Sequence, residues 1–499
     1  MKIRKVYILG LLFGAFCFGA CSDDEVHTGI SGEEAQPFLG VYKGKMDVKV
    51  QDMDAANMWQ QIRGEYEGNE LQMGMDAFRI DDLELGDIWF DQIETEKQGD
   101  ALKFNAMTNQ ALSGINNANI KVEGNIQGKS MQVDFTIQSV STPVVYASML
   151  AQKRDRVELD TAALVRLWFD DERVVMQPDI PETSNSITFY VADTIADTTQ
   201  VALIPRFELT EGSTVSLVPD EEVVFSDGAV KVVVWAEDSI HRRVYSLNMD
   251  KAQSHRYPLD EWQTWPRNEM NADLTYLTPT DESWQTNNEW FRGMKQEGTY
   301  GMSAAFPVEK VEDNVVAGAA VKITSHYVEE DELFPGLHSG MFYMGDEFML
   351  DEEQPMKSTP FGVMFDTRPL KVKGNYRYRP GSPYYVGSTV DQTGMTDTCR
   401  IIALLYEVNN ETETLDSVNI FNDDKVIAYG IFDGATTEGE GYIPFDVKIN
   451  YIKSYYFTKK YKLAVICMSS RYGYRQEGAD GSVLWVDELE VISQKKKEE

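Results

Sequence analysis

Alternation of apolar and polar residues with a period of two dominates this chain of 499 residues. The run that contains Met46, Val48 and Val50 is one instance, and glycine, proline and asparagine separate such runs at short intervals. Successive side chains of a β-strand point to opposite faces of a sheet, so the pattern predicts strands with one buried face. Long segments of helical periodicity are nearly absent. The sequence therefore predicts an all-β protein.

The chain is too long for a single hydrophobic core. One core seldom organises more than about 250–300 residues, so two to four domains are expected. Apolar residues make up 42% of the chain, which is enough to build several cores. We expect three β-domains in tandem behind an N-terminal leader.

The N-terminus has the pattern of a secretory signal. Lys2, Arg4 and Lys5 precede an apolar run over residues 6–18, and small residues lead to Cys21. The run is shorter than the roughly 20 residues that a membrane-spanning helix needs. We therefore predict a signal peptide over residues 1–20.

The residues around Cys21 carry a more specific resemblance. A cysteine directly after Gly-Ala resembles the lipobox of bacterial lipoproteins, and the following Ser-Asp-Asp-Glu resembles the surface-export signal of Bacteroidetes lipoproteins. The resemblance implies that Cys21 is acylated, that residues 21–35 form a flexible tether, and that the protein is anchored in the outer membrane and faces the cell exterior. The alternative is an ordinary signal peptide with an incidental cysteine.

The charge of the chain restricts the classes of partner that it can bind. Asp and Glu number 81 against 46 Lys and Arg, which gives a net charge of −35. Nucleic-acid binding depends on basic residues that neutralise phosphates, so this class is excluded. Adsorption to an anionic membrane surface is disfavoured for the same reason. Membrane attachment is therefore expected through the lipid on Cys21 only.

Two cysteines of the mature chain remain, Cys399 and Cys467, and each lies in an apolar run typical of a strand. A disulfide is allowed outside the cytoplasm. Two buried thiols are the favoured interpretation, and the fold is not expected to depend on a disulfide.

The first predicted domain covers residues 36–155. It opens with Phe-Leu-Gly-Val-Tyr-Lys-Gly at residues 38–44 and continues as short strands joined by glycine- and asparagine-rich turns. This meander resembles the calycin-like β-barrel domain of Bacteroidetes lipoproteins. Such a barrel either holds an apolar ligand or is filled by its own side chains. A segment at 55–63, which carries Trp59, is expected to be helical.

The second predicted domain covers residues 163–251. About seven short strands in fewer than 100 residues are typical of an Ig-like β-sandwich. The stretch from Leu203 to Asp238 is similar to the Ig-like modules of Bacteroidetes surface proteins. Trp168 and Trp235 are expected in the core of this domain.

The third predicted domain covers residues 257–493 and is followed by a charged tail at 494–499. Its motifs include Leu-Phe-Pro-Gly at 333–336, Ser-Ser-Arg-Tyr-Gly at 469–473 and Gly-Ser-Val-Leu-Trp-Val-Asp-Glu-Leu at 481–489. In these motifs the segment resembles the family described as a "putative carbohydrate metabolism domain" of Bacteroidetes lipoproteins. The resemblance implies a jelly-roll-like β-sandwich with a link to carbohydrate.

Standard catalytic signatures are absent from the sequence. Five histidines are scattered without metal-ligand spacing, and no nucleophile elbow, phosphate-binding loop or dinucleotide-binding motif occurs. A carboxylate pair for glycoside hydrolysis depends on a separation of about 5–9 Å in the fold, which sequence spacing does not report. Glu289, Asp346 and Asp366 are acidic positions near the predicted aromatic region.

Residues suited to sugar binding lie in the third domain. Aromatic faces stack on sugar rings, and planar polar groups bond their hydroxyls. Trp284 and Trp290 fall within ten polar-rich residues that read as a loop, and Tyr300, Arg368 and Tyr376 are further candidates. The alternative is that the two tryptophans fill the sandwich core.

Two further sites are expected in the chain. Glu261 opens the third domain and Asp487 lies in its last strand, and acidic side chains on such neighbouring strands are similar to those that hold a structural calcium ion in sandwich carbohydrate modules. Thr161, in the triplet Asp-Thr-Ala, resembles the O-glycosylation site of Bacteroidetes proteins.

We hypothesise that the protein is a lipid-anchored, non-catalytic surface protein that binds a polysaccharide or oligosaccharide. Its expected partners are outer-membrane components for glycan uptake. The alternatives are a glycoside hydrolase that uses a carboxylate pair in the third domain, and a structural or adhesive protein with a protein partner.

Overall fold

The computed structural model describes residues 30–67, 70–140, 142–195, 200–226, 228–329, 335–349, 351, 353–391, 393–437, 439 and 441–495. The predictions for Cys21 and the signal peptide lie outside these residues. The described chain divides into two compact units. Unit 1 comprises the described residues up to Val165 with Glu208–Leu217 and Val232–Val244, and unit 2 comprises Arg166–Phe207, Val218–Lys231 and the described residues from Tyr245 onward.

Unit 1 is built on one antiparallel sheet of nine strands within its described residues. The strands are β1 (Gly40–Val50), β2 (Met53–Glu67), β3 (Glu70–Ile80), β4 (Leu83–Phe90), β5 (Ile93–Gln98), β6 (Ala101–Leu112), β7 (Ile115–Gln127), β8 (Ser130–Gln138) and β9 (Val145–Lys153). Their order is β4-β3-β2-β1-β9-β8-β7-β6-β5. A short helix α1 (Gly32–Ala35) and a 3-10 turn (Gln36–Phe38) precede them.

The sheet curls so that β4 meets β6. The Gln110 side chain accepts a hydrogen bond from the Trp89 backbone N–H (3.2 Å) and donates to the Asp87 carbonyl (2.5 Å). Apolar side chains fill the interior, and a cavity of only about 10 Å³ remains among Phe90, Phe104 and their neighbours. That volume is about the size of one water. This packing favours the expectation that side chains of the barrel fill its interior.

The expected helix at 55–63 is wrong. β2 spans Met53–Glu67 and pairs with β1 in antiparallel register, with Trp59 opposite Lys45. The apolar residues of this segment do not recur at the regular spacing of either a helix or a strand. Pairing with β1 decides its structure, because the context of a sheet overrides weak local propensity.

The strands of the central region are short. They are β10 (Leu164–Phe169), β11 (Val174–Met176), β12 (Ser186–Ala192), β13 (Val201–Leu203), β14 (Pro205–Leu209), β15 (Thr214–Val215), β16 (Val223–Phe225), β17 (Val230–Trp235) and β18 (Arg242–Tyr257). Within unit 2, Phe169, Phe189 and Phe225 form a buried aromatic cluster with centroid distances of 4.5–5.9 Å. Because the two units share this region, the Ig-like domain stays a prediction.

The rest of unit 2 contains strands β19 (Trp262–Trp265), β20 (Tyr276–Pro279), β21 (Trp284–Thr286), β22 (Val308–Val311), β23 (Ala320–Thr324), β24 (His326–Val328), β25 (Gly336–His338), β26 (Met341–Met344), β27 (Val363–Met364), β28 (Arg368–Arg379), β29 (Tyr384–Val386), β30 (Thr389–Val390), β31 (Cys399–Val408), β32 (Val426–Gly434), β33 (Ile443–Lys448), β34 (Asn450–Tyr451), β35 (Lys460–Met468), β36 (Glu477–Ala479) and β37 (Val483–Gln494). Helix α2 (Asn288–Glu297) and 3-10 turns at Ala272–Leu274, Pro355–Lys357 and Gly473–Arg475 complete it.

Two sheets of unit 2 enclose one core. In sheet I, β37 pairs with β23 and β18 along one edge and with β28 along the other. Sheet II has the order β21-β26-β35-β31-β32-β34. Leu484 and Val486 of sheet I pack with Ile401, Ala403 and Leu405 of sheet II in this core. The prediction of an all-β protein with β-sandwich architecture is confirmed.

Sheet II is covered on both faces. Ile402, Leu404 and Tyr406 of β31 point away from the sandwich core into a second apolar cluster that includes Phe361 and Leu415. This double burial explains why β31 is a nearly continuous apolar run rather than an alternating one. The loops that cover the outer face also form walls of the pocket described below.

The two cysteines are buried free thiols. Cys399 of β31 and Cys467 of β35 are both fully buried, and Cys467 lies opposite Ile401 in the ladder. This agrees with the favoured interpretation of the sequence. The described helices are all too short or too polar to cross a bilayer.

Candidate functional site

A pocket with a volume of about 70 Å³ opens beside the N-terminal turn of α2. Its walls come from α2, β25, the loop before β27, the loop after β31 and the turn before β36. We call it the Trp290 pocket, and its lining residues are Asn287, Trp290, Leu337, His338, Ser339, Met341, Phe348, Met356, Thr359, Ser417, Gly473, Tyr474 and Gln476.

Helix α2 presents Trp290 to the pocket. Its N-cap residue Asn287 is tied to the neighbouring chain, because the side-chain amide donates to the Ser339 carbonyl (2.9 Å) and accepts from the Met341 N–H (2.9 Å). The helix ends at Gly298, whose φ of 84° lies in the left-handed region that glycine tolerates. Phe291 and Met294 pack in a small core, and Trp290 is itself partly buried against that core. The Trp290 ring is therefore held at a fixed position.

Aromatic rings surround the mouth of the pocket. Trp290 lies edge-on to Phe348, with centroids 6.2 Å apart and planes at 88°, and 5.9 Å from the His338 ring. Tyr474 packs against Phe421 at 4.8 Å. These contacts restrain the rings that a sugar residue would meet.

The lining residue Ser339 belongs to a network of buried serines. The Ser339 hydroxyl accepts from the Ser470 N–H (3.1 Å) and lies 3.2 Å from the Ser469 hydroxyl. The Ser325 hydroxyl contacts both Ser469 (2.7 Å) and Ser470 (2.6 Å). The Ser-Ser start of the motif at 469–473 thus ties the base of the pocket to β23 and β25.

A buried carboxylate completes the network. Asp397 is 2% exposed and accepts from the hydroxyls of Ser470 (2.6 Å) and Ser482 (2.8 Å) and from the Ala479 N–H (2.9 Å). Burial raises the pKa of the Asp397 carboxyl, and these hydrogen bonds oppose that shift. The two family motifs at 469–473 and 481–489 therefore meet at one carboxylate beneath the pocket.

Glycine at 473 is required by a close approach. A Cβ atom there would lie 2.2 Å from Ser339 Cβ, far inside van der Waals contact. The same holds at Gly478, where a Cβ would lie 2.4 Å from Ser470 Oγ and φ is 156°. The two glycines let the turn before β36 and β36 itself pack directly on the serine network.

The lining combines aromatic faces with hydroxyl and amide groups. Thr359 and Ser417 share a hydrogen bond of 2.7 Å, and Gln476 adds a side-chain amide at the rim. Such a set can stack on a sugar ring and bond its hydroxyls. A volume of about 70 Å³ is roughly five to seven times the space that one water needs on the same measure, so the pocket admits a substituent or an edge of one sugar residue.

Trp284 does not share the position of Trp290. It lies in β21, is 1% exposed and stacks on Phe342 in the sandwich core. The segment predicted as a loop is therefore a short strand followed by a helix, and its two tryptophans face different environments. Trp284 therefore fills the sandwich core, as the alternative interpretation of the sequence had proposed.

Three other predicted binding residues lie away from the pocket lining. Tyr300 is half-buried, donates to the Ala305 carbonyl (2.8 Å) and packs on Phe291. Arg368 lies over the Tyr451 ring at 4.4 Å. Tyr376 is 5% exposed and packs in the core against aromatic neighbours.

The predicted calcium ligands also have different surroundings. Glu261 is exposed, whereas Asp487 is fully buried and accepts from the Val316 N–H (2.6 Å) and the Ala317 N–H (3.3 Å). Asp260 accepts from the Ala319 N–H (2.7 Å). These carboxylates hold a loop by hydrogen bonds to its backbone. Among the described residues no group of three His, Cys, Asp or Glu side chains has the arrangement of a metal site, and the calcium site stays a prediction.

Two other predicted positions, Thr161 and Glu289, do not line the Trp290 pocket. Thr161 is exposed in the segment between β9 and β10, where a modifying enzyme could reach it, and its glycosylation stays a prediction. Glu289, the acidic residue nearest to Trp290 in sequence, is bonded to Arg292 (2.8 Å) and to the Tyr276 hydroxyl (3.0 Å).

Sequence reasoning missed most of the pocket. His338 and Phe348 follow the Leu-Phe-Pro-Gly motif, and Tyr474 and Gln476 follow the Ser-Ser-Arg-Tyr-Gly motif. These two motifs were therefore the sequence signal that could have indicated the pocket, because the four residues follow them along the chain.

Comparison with protein families gives two matches. Residues 38–147 match the family described as "Calycin-like beta-barrel domain", and residues 256–492 match "Putative carbohydrate metabolism domain". The chain is thus similar to each family over the matched segment. The second matched segment contains the whole Trp290 pocket. No curated protein matches the chain.

Solved structures show weaker similarity. One described as a "putative glycoside hydrolase" from Bacteroides thetaiotaomicron is 21% identical with a TM-score of 0.39, over 69% of this chain and 100% of that one. Another with that description, from Bacteroides vulgatus, is 19% identical with a TM-score of 0.39, over 48% and 98%. A structure of carbohydrate-binding modules of the β-sandwich superfamily is 7% identical with a TM-score of 0.21, over 71% and 90%. TM-scores this low carry no argument about activity.

Proposed function

We propose that the carbohydrate metabolism domain binds a saccharide at the Trp290 pocket without cleaving it. The observation that carries this proposal is the lining itself, in which a restrained indole and Tyr474 stand beside hydroxyl and amide groups. The family match to residues 256–492 supports a carbohydrate ligand.

The size of the pocket specifies the mode of binding. Since about 70 Å³ holds only part of a sugar residue, one residue would insert a substituent while its ring rests on Trp290 or Tyr474. Further residues of the glycan would lie along the rim, where Arg475 lies 5.2 Å from the Tyr474 ring. The proposal therefore describes recognition of a chain end or a branch.

The cellular setting is also proposed. The lipobox-like sequence at Cys21 supports a lipid-anchored protein of the outer membrane that faces outward, and the glycan would be passed to uptake components there. Palmitate labelling of the expressed chain, lost in Cys21→Ser, tests the anchor.

A glycan array probed with the full chain tests the binding proposal. The wild type is expected to bind at least one glycan, and Trp290→Ala is expected to weaken that binding about tenfold or more, as loss of an aromatic anchor commonly does. Trp485→Ala is the matched control, because Trp485 is half-buried on the outer face of sheet I and lies outside the pocket.

Two results would contradict the proposal. Equal weakening by Trp485→Ala and Trp290→Ala would place binding elsewhere or indicate general unfolding. Release of reducing ends from the bound glycan, abolished by one Asp or Glu substitution, would establish the glycoside hydrolase alternative.

A further inference from the structure

Unit 1 contains a second, larger cavity on the outside of its barrel. Its volume is about 590 Å³, within the range of about 300–1,000 Å³ that small-molecule sites occupy. It lies among β2, the turn between β3 and β4, and the segment Val232–Val244, all within unit 1. We call it the Trp59–Trp235 pocket, lined by Trp59, Arg79, Asp81, Asp82, Trp235 and Arg242.

Both indoles of this pocket lie outside the hydrophobic cores. Trp59 projects from the outer face of β2 and is 43% exposed, although tryptophan is highly buried on average. Trp235 ends β17 and is only half-buried, in contrast to its expected position in a core. Trp59 supplies the accessible apolar face that a flat ligand needs, whereas the guanidinium groups of Arg79 and Arg242 lie over the Trp235 ring.

The guanidinium groups of the pocket are held in place. Arg79 is 6% exposed, donates to the Ile240 carbonyl (2.6 Å) and lies 4.5 Å from the centre of the Trp235 ring. Arg242 lies 5.2 Å from the same ring and donates to Asp82 Oδ1 (2.9 Å). A guanidinium carries five N–H groups, so each arginine keeps donors for a ligand beyond these bonds.

Carboxylates balance the two arginines. Asp81 and Asp82 form the two-residue turn between β3 and β4, where Ile80 pairs with Leu83 and Asp81 has a φ of 53°. Aspartate tolerates this left-handed conformation better than most residues. The formal charges of Asp81 and Asp82 cancel those of Arg79 and Arg242 in the lining. Lys43 and Lys45 lie beside it, 5.5 and 5.8 Å from the Trp59 ring.

From this arrangement we propose that the Trp59–Trp235 pocket binds a neutral saccharide. The Trp59 face meets the C–H face of a sugar ring, while fixed guanidinium donors and carboxylate acceptors meet its hydroxyls. The volume of 590 Å³ admits whole sugar residues, in contrast to the Trp290 pocket. The site is in unit 1 and does not depend on the function proposed for unit 2.

The test uses the full chain on an array of neutral, uronic-acid and sulfated glycans. Trp59→Ala is expected to weaken binding to a neutral glycan about tenfold or more. Trp59 is exposed, so the substitution leaves the core intact, and circular dichroism verifies this. Tyr146→Ala is the matched control, because Tyr146 is 45% exposed on the same barrel and does not line the pocket. Trp235→Ala is expected to repeat the loss.

The outcomes separate the two sites. Loss of a neutral glycan in Trp59→Ala but not in Trp290→Ala supports this site alone. Loss only in Trp290→Ala, or loss in Trp59→Ala confined to acidic glycans, overturns it. Equal binding by Trp59→Ala, Tyr146→Ala and the wild type, or no neutral glycan bound by the wild type, overturns it as well.

Discussion

Trp284 lies parallel to Phe342 in the sandwich core, with ring centroids 4.6 Å apart and planes 3° apart. Only six residues further along the chain, Trp290 faces the pocket. The two tryptophans therefore have separable roles, since one stabilises the fold and the other is proposed to bind a ligand.

Trp284→Ala is expected to lower the free energy of unfolding by about 3–5 kcal/mol, because it empties a large buried volume. Trp284→Phe is expected to cost less, since its ring keeps the stack on Phe342 and removes an indole N–H that is buried without a hydrogen-bond partner. Urea denaturation measures both. A loss for Trp284→Ala no larger than that for Trp290→Ala would contradict the assignment of Trp284 to the core.

Gly473→Ala is expected to disturb the base of the Trp290 pocket. The added Cβ would lie 2.2 Å from Ser339 Cβ, so the turn must move, at a cost of about 1–3 kcal/mol. Glycan binding should weaken with it. Gly293→Ala is the control, because open space surrounds that position in α2 and alanine favours a helix by roughly 0.5–1 kcal/mol over glycine. Equal stability of the two variants would be the contrary result.

Unit 1 is expected to lose stability as pH rises above neutrality. His241 Nδ1 lies 2.5 Å from Asp238 Oδ2, and this hydrogen bond raises the pKa of His241 above its usual 6.5. Because the pKa of His241 is raised in the folded state, its hydrogen bond with Asp238 contributes fully to the free energy of unfolding below pH 6.5. That contribution is lost as pH rises through the folded-state pKa. Urea midpoints measured from pH 5.5 to 8.5 would show the decline.

His241→Gln is expected to remove that decline. His255→Gln serves as the control, because burial lowers the pKa of His255, which gives a pH dependence of opposite sign. A decline of the same size in His241→Gln and the wild type would show that another group is responsible.

Cys399 and Cys467 are expected to be unreactive in the folded protein. Both thiols are buried, and burial raises the pKa of each, so little of the reactive thiolate forms. Titration with a thiol-reactive dye should detect neither cysteine before denaturation and both after it. Detection of neither in denaturant without reductant would instead indicate a disulfide.

The strands of this protein could be predicted from the sequence because one-sided burial leaves a period of two. In β8 every second side chain from Met131 to Ile137 is buried, and the side chains between them are exposed or half-buried. β31 departs from the pattern, since both of its faces are buried, yet its length and β-branched content still indicate a strand.

Local pattern failed where pairing with another segment decides the structure. At 53–67 the register with β1 makes a strand of residues expected to be partly helical. At 284–297 a strand pairs with β26 and a helix follows, where Asn, Thr and Gly predicted a loop. The deciding contacts come from the preceding strand β1 in the first segment and from the distant strand β26 in the second.

The candidate site was even less accessible to sequence reasoning. Trp290, Phe348, Ser417 and Tyr474 come from four segments that the fold brings to one pocket. Aromatic content singled out Trp290, but no spacing connects it with the others. The family motifs came nearest, because they contain the serines and glycines on which the pocket rests.

The most direct measurement of the central claim is a crystal structure of the chain with an oligosaccharide that the array identifies. The account predicts a sugar residue in contact with the Trp290 and Tyr474 rings and one of its substituents inside the pocket. A sugar bound elsewhere on the carbohydrate metabolism domain, with only water in the Trp290 pocket, would contradict it.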